Sequence, residues 1–136
     1  TLWDVLSYSS RYDLNSNELV QGYPRSLELT LYLLNRLRIH GEWNRAVVET
    51  YIYQLSREND PMVVRKYGNE IAAYIREKAR KLVQCINDWA ACRKEIAVFD
   101  EELYERKINP GSTADLIAVT ISLYSLWRQV SIIRLK

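Results

Sequence analysis

The chain is predicted to be all-α, a multi-helix bundle of about six or seven helices with no significant sheet. Three observations lead there. Among 136 residues there are only 4 Gly and 3 Pro, and good helix formers such as Leu, Glu, Arg and Ala dominate. Apolar residues recur at the 3.6-residue period of a helix stripe. No segment alternates apolar and polar residues between hairpin turn signals, as a half-buried strand does.

A first helix covers about Leu2 to Ser10. A short helical segment follows Asp13, with Leu14 and Leu19 inward, and Gly22 breaks it. Pro24 suits the first turn of the next helix, because it lacks only an N–H that has no partner there. That helix runs to about His40, with Leu27, Leu31, Leu34 and Leu37 or Arg38 on the stripe expected to be buried. Gly41 ends it. Glu42 to Arg57 forms another helix, with Trp43, Val47, Ile52 and Leu55 on its core face.

Asp60-Pro61 is a helix start, an N-cap carboxylate followed by proline at the first helical position. The helix that follows is read as long, with Tyr67, Ile71, Tyr74 or Ile75, Leu82 and Ile86 inward and Glu77–Lys81 as an i, i+4 pair. Gly68 falls inside it at a cost of about 1 kcal/mol against Ala, which suggests either close approach of another group or a tolerated surface glycine. Asn87-Asp88 leaves open whether the helix breaks. Lys94 to Arg106 is helical, with Ile96, Phe99 and Leu103 on one side. After Pro110-Gly111 a last helix runs to about Ile133, with Leu116, Val119, Leu123, Leu126 or Trp127, Val130 and Ile133 inward. The four tryptophans, spread over separate helices, read as core filler. The run Arg76, Lys78, Arg80, Lys81 reads as a solvated face.

At this length one domain over residues 1–136 is expected, with roughly two-thirds of the unfolded surface buried. The net charge of +2, from 19 basic and 17 acidic residues, gives no electrostatic reason for a nucleic-acid partner. No apolar run has the length and freedom from charge of a membrane span, and no signal-peptide pattern opens the chain. The first residue is Thr1, so processing or a longer parent chain is expected. Cys85 and Cys92, seven apart on what reads as one helix, are expected to be buried free thiols, which fits a reducing cytoplasm. The single histidine, His40, reads as a helix-end or surface residue.

The segment Asn109-Pro110-Gly111-Ser112-Thr113-Ala114-Asp115 carries the clearest functional signal. Ser112 or Thr113 can cap the following helix, and Asp115 can complete a capping box. A glycine corner opening a helix also offers free N–H groups and a positive dipole end to an anion. Two more segments have residues without an obvious packing reason: Gly22 to Ser26, and Asp60 through Arg65, Lys66, Tyr67 and Gly68. Cations beside glycines and helix starts suit a polyphosphate. A carboxylate such as Asp115 suits Mg²⁺, a hard cation that shares oxygen ligands with phosphates.

These segments resemble the C-terminal half of triphosphoribosyl-dephospho-CoA synthases, particularly their archaeal relatives. Asn109 to Leu116 is similar to that family's Asn-Pro-Gly-x-x-Ala-Asp-Leu signature, and Asp60 with Arg65-Lys66 and Gly68 to its Asp-Thr…Arg-Lys-x-Gly segment. Tyr12-Asp13-Leu14, Glu18-Leu19 and Gly22 to Ser26 are similar to a third stretch. Pro61 stands where the family usually has Thr, and Tyr67 where many relatives have His. The family's N-terminal half, with its Lys-Pro-Gly and Asp-containing motifs, has no counterpart here. The resemblance therefore implies a chain that needs that half or a partner chain to react.

The implied reaction transfers the triphosphoribosyl group of ATP to the 2′-hydroxyl of dephospho-CoA with release of adenine. The implied roles are phosphate binding by Arg65 and Lys66, with Arg25 secondary; an anion cradle from the Gly111, Ser112 and Thr113 backbone; orientation of the corner by Asn109; and metal binding or base catalysis by Asp115. Mg²⁺ is the implied cofactor. A cytoplasmic location and a homo-oligomer are further expectations. Arg65 and Asp115 are expected to share a cleft. The alternative is a non-catalytic helical module that packs against a partner chain or the missing half.

Overall fold

A computed structural model describes the backbone of residues 1–134 and the side chains of residues 1–131. Among the described residues there are eight helices and no strand: α1 Leu2–Ser9, α2 Leu14–Gln21, α3 Pro24–His40, α4 Trp43–Arg57, α5 Pro61–Tyr67, α6 Asn69–Cys85, α7 Trp89–Glu105 and α8 Gly111–Arg134. The all-α class stands, and eight helices replace the six or seven expected, because Gly68 does not sit inside a helix. Its backbone at φ 87°, ψ 169° separates α5 from α6, a conformation open essentially to glycine alone. Asn87-Asp88 does break the chain. The Asp88 side chain accepts from the Ala91 N–H at 3.3 Å, so α7 starts at Trp89 rather than near Lys94.

The chain divides into two compact units. Unit 1 comprises Thr1–Thr50 and the chain from Ala114 onward; unit 2 is Tyr51–Thr113.

In unit 1 the interior is partly polar. Leu14, Leu29, Leu33, Ala46, Leu116 and Ile117 are buried, and so are Glu18, Ser26, Thr30, Arg36, Glu49, Thr50 and Thr120. This overturns the phase expected for α3: Leu27 and Leu31 are exposed, Leu31 by 69%. The buried face of α3 is Ser26, Leu29, Thr30, Leu33 and Arg36, whose polar members meet partners inside the unit. On α2, Glu18 is buried and Leu19 is not. Trp43 is exposed and lies 5.2 Å from the Tyr124 ring, centroid to centroid. Leu126, Trp127 and Val130 are also exposed. Ile133, expected inward, lies outside the described side chains. The tryptophans are not core filler, since Trp3, Trp43 and Trp127 are all exposed and Trp89 is half-buried.

Unit 2 has an apolar core of Ile52, Leu55, Val63, Ala72, Ile75, Ala79, Leu82, Phe99, Leu103 and Ile108. The stripe expected on α6 holds at Ile75 and Leu82, while Tyr67 and Tyr74 are exposed at its edge. Both hydroxyls are engaged, Tyr67 donating to the Lys107 carbonyl at 2.6 Å and Tyr74 to Glu102 at 2.6 Å. Glu77 pairs with Arg80 and Arg76. Cys85 and Cys92 are joined as a disulfide, which corrects the reading of free thiols. The break at Asn87-Asp88 puts them on different helices with Cα atoms 5.3 Å apart, inside the range a disulfide spans. The thiol argument for a reducing compartment falls with it.

Candidate functional site

In unit 1 the first polar cluster forms where α2 hands the chain to α3. Asp13 caps α2, accepting from the N–H and hydroxyl of Ser16 at 2.8 and 2.7 Å. Gly22, at φ 80°, ends the helix in the left-handed conformation, and Tyr23 follows at φ 62°. That double turn carries the start of α3 back over Glu18, whose side chain is 2% exposed. Glu18 accepts from the N–H groups of Arg25 at 3.1 Å and Ser26 at 2.9 Å, and from the Ser26 hydroxyl at 2.8 Å. The N-cap residue Tyr23 makes no side-chain cap bond, so a side chain from the previous helix does the capping. The Arg25 guanidinium is engaged by Asn17 at 2.8 Å and by Glu18 at 3.5 Å.

Asp115 joins this unit through Asn15, 100 positions earlier, whose amide donates to Asp115 Oδ2 at 3.0 Å. Both sit at the edge of a cleft of about 330 Å³ lined by Leu6, Asn15, Ser16, Glu18, Leu19, Tyr23, Asp115, Leu116 and Val119. Its walls are mainly apolar with a few polar groups among them, the usual make-up of a small-ligand site. Asp115 lies beyond the first turn of α8, so it completes no capping box.

Unit 1 also buries a charged cluster that sequence reasoning missed. The fully buried Glu49 accepts from Arg36 Nε, from Arg45 Nε at 2.8 Å and from His40 Nε2 at 3.0 Å. Burial pushes its carboxyl up, but the three hydrogen bonds outweigh that and hold it below the usual carboxylate range. The same contact raises Arg36. His40 is therefore a buried partner of Glu49 rather than a surface residue, and its Nδ1 accepts from the Glu42 N–H at 3.1 Å.

In unit 2 the motif residues gather around Asp60. Its Oδ1 caps α5, accepting from Met62 N–H at 2.9 Å and Val63 N–H at 3.1 Å. Its Oδ2 accepts from the N–H and hydroxyl of Thr113 at 2.7 and 2.9 Å. Ser112 and Thr113 thus lie inside α8, and the carboxylate of Asp60 supplies what neither gives as its own cap. The Gly111 N–H donates to the Asn109 carbonyl at 2.8 Å. A Cβ on Gly111 would lie 2.6 Å from Met62 Sδ, so this glycine makes room for a side chain. The Tyr51 hydroxyl donates to the Pro110 carbonyl at 3.4 Å. Burial, with Asp60 and Asp100 adding to it, pushes that phenol well above its ordinary value. Arg65 and Lys66, in the last turn of α5, are exposed, as is Asn109.

Two helix starts expected to hold anions therefore hold the chain's own carboxylates, Glu18 at α3 and Asp60 at α8. Arg65 and Lys66 belong to unit 2 and Asp115 to unit 1. Among the described residues no group of three or more His, Cys, Asp or Glu side chains is arranged to hold a metal. Asp115 alone fits Mg²⁺ only as one carboxylate beside substrate phosphates and water.

Residues 1–132 match the sequence model of the family described as ATP:dephospho-CoA triphosphoribosyl transferase. A protein of Albidiferax ferrireducens assigned as a 2-(5″-triphosphoribosyl)-3′-dephosphocoenzyme-A synthase is 32% identical over 70% of this chain and 32% of its own. The synthase of Haemophilus ducreyi is 25% identical over 80% of this chain and 33% of its own. A crystal structure from Archaeoglobus fulgidus, of a protein assigned as a triphosphoribosyl-dephospho-CoA synthase, superimposes with a TM-score of 0.75 at 33% identity. It covers 91% of this chain and 51% of that one. The chain thus spans about a third of the length of these curated relatives. Among its described residues no helix is long and apolar enough to cross a membrane.

Proposed function

The chain belongs to the ATP:dephospho-CoA triphosphoribosyl transferase family, and from that membership we propose that it supplies nucleotide-binding corners to that transfer. The observation that carries this reading is the Asn15–Asp115 pair. It joins two sequence segments that resemble the family's signatures, 100 positions apart, at the edge of one cleft. The remainder of the machinery comes from a further part of the family architecture, to which this chain is the C-terminal part, or from a partner chain.

In the proposed reaction the 2′-hydroxyl oxygen of 3′-dephospho-CoA forms a bond to the anomeric carbon of ATP's ribose. The bond from that carbon to adenine breaks, the hydroxyl proton passes to a base, and adenine leaves with a proton. The centre is cation-like in passing, so the site needs a base, an acid and neutralisation of the triphosphate. Asp115 is the base, or one carboxylate ligand of a Mg²⁺ that neutralises phosphate charge. Arg65 and Lys66, exposed on α5, meet phosphates. Arg25 serves only by leaving Asn17 and Glu18, so it is the weaker phosphate group. Asn109, Gly111, Ser112 and Thr113 shape the corner, and with the Thr113 N–H held by Asp60 their contribution is support rather than an open cradle.

Calorimetry with ATP, Mg²⁺ and dephospho-CoA tests the reading. Heat with ATP, and adenine release only when the rest of the architecture is supplied, is the expected result. A folded chain that gives no heat with any combination refutes it and leaves the non-catalytic interaction module.

A further inference from the structure

We propose that Tyr23 is a specificity-determining residue whose ring forms the wall against which a purine base lies in the cleft of unit 1. This rests on the nucleotide-binding reading above. Tyr23 stands at φ 62°, ψ 42°, a left-handed conformation in which a Cβ crowds the backbone and a bulky residue is an outlier. Lys107 is the only other non-glycine residue with positive φ among those described. Tyr23 follows Gly22, itself at φ 80°, so the second of two successive left-handed positions holds neither glycine nor asparagine, the residues that such backbone favours.

Its backbone duties do not require a tyrosine. The N–H donates to the Glu18 carbonyl at 2.7 Å and the carbonyl accepts from the Leu27 N–H at 3.0 Å; any residue other than proline supplies both. Tyr23 is the N-cap of α3 yet makes no side-chain cap bond. What distinguishes Tyr23 is its place in the lining of the cleft. A strained residue facing a cleft is the kind of outlier from which a functional role is inferred.

The chemistry of the cleft selects the ligand class. Leu19, Leu116 and Val119 give apolar surface, and the hydrogen-bonded Asn15 and Asp115 give polar groups. A purine base has two apolar faces and a hydrogen-bonding rim. At about 330 Å³ the cleft is at the small end for ligand sites, which suits a base or nucleoside. Stacking of a base on an aromatic ring is worth roughly ten- to a hundredfold in affinity.

The test titrates the full chain with adenosine, ATP and inorganic tripolyphosphate, using wild type, Tyr23→Asn, Tyr23→Gly and Tyr23→Phe. Asn and Gly keep the left-handed backbone without the ring, so both variants should fold, with a melting temperature at or above that of wild type. Their affinity for adenosine and ATP should fall at least about tenfold, tripolyphosphate binding should not change, and Tyr23→Phe should stay within about twofold of wild type. Unchanged ATP binding in all variants overturns the role of Tyr23 while the nucleotide reading stands. Parallel loss of ATP and tripolyphosphate binding with a lowered melting temperature makes Tyr23 structural and also overturns it. A wild-type chain that binds none of the three overturns both.

Discussion

Asp60 and Thr113, 53 positions apart, are joined twice, through the Thr113 N–H at 2.7 Å and its hydroxyl at 2.9 Å, both donating to one carboxylate oxygen. The other oxygen caps α5. One buried side chain therefore completes the starts of two helices.

Asp60→Ala should lose both caps and cost about 2–4 kcal/mol of stability in urea unfolding. Asp60→Asn, which keeps an acceptor oxygen, should lose less. Were Asp60 a ligand-binding group without a structural role, both variants would keep wild-type stability.

Glu49 makes stability depend on acid. Its folded carboxyl lies below the ordinary 4.5, so its contribution is complete above that value and is lost as pH falls through the lower folded value. Glu49→Gln should abolish this slope below about pH 4.5 and cost on the order of 3 kcal/mol at neutral pH, because Arg36 is left buried without its counter-charge. Melting curves from pH 3 to 7 for both proteins measure it.

Gly68 separates α5 from α6 at a backbone position that alanine reaches only with strain. Apart from its chain neighbours, no heavy atom lies within 4 Å of the place a Cβ would take, so the effect of Gly68→Ala is conformational, about 1–3 kcal/mol of destabilisation. A neutral result in chemical denaturation would mean that the two helices fuse without penalty.

Arg65→Ala should weaken ATP and tripolyphosphate binding on the order of tenfold and leave the melting temperature within a degree or two, because its side chain is exposed. Lowered stability with unchanged binding would make Arg65 structural.

Local backbone chemistry was legible in the sequence. Gly22, Pro24, Gly41 and Asp60-Pro61 mark helix ends because each acts on its own few residues. The phase of α3 was not. Leu27 and Leu31 looked inward by hydrophobicity, but the inward face is decided by distant partners: Ser26 meets Glu18, Arg36 meets Glu49, and Thr30 reaches the Thr120 carbonyl at 3.4 Å. A polar residue reads as exposed until its partner is known. The motif corners were found for the same local reason that the helix ends were, while the groups that fill them come from other helices or turns, Glu18 from the preceding helix and Asp60 from 53 positions away. Asn15, which holds Asp115, carries no signal of its own in the sequence.

The Cys85–Cys92 link spans the exposed corner at Asn87 and Asp88. A protease that nicks the chain at that corner releases nothing: both fragments migrate as one molecule on a non-reducing gel and part only when a reductant is added. The hinge between α6 and α7 is thus the one place among the described residues where the polypeptide can be severed and stay covalently whole.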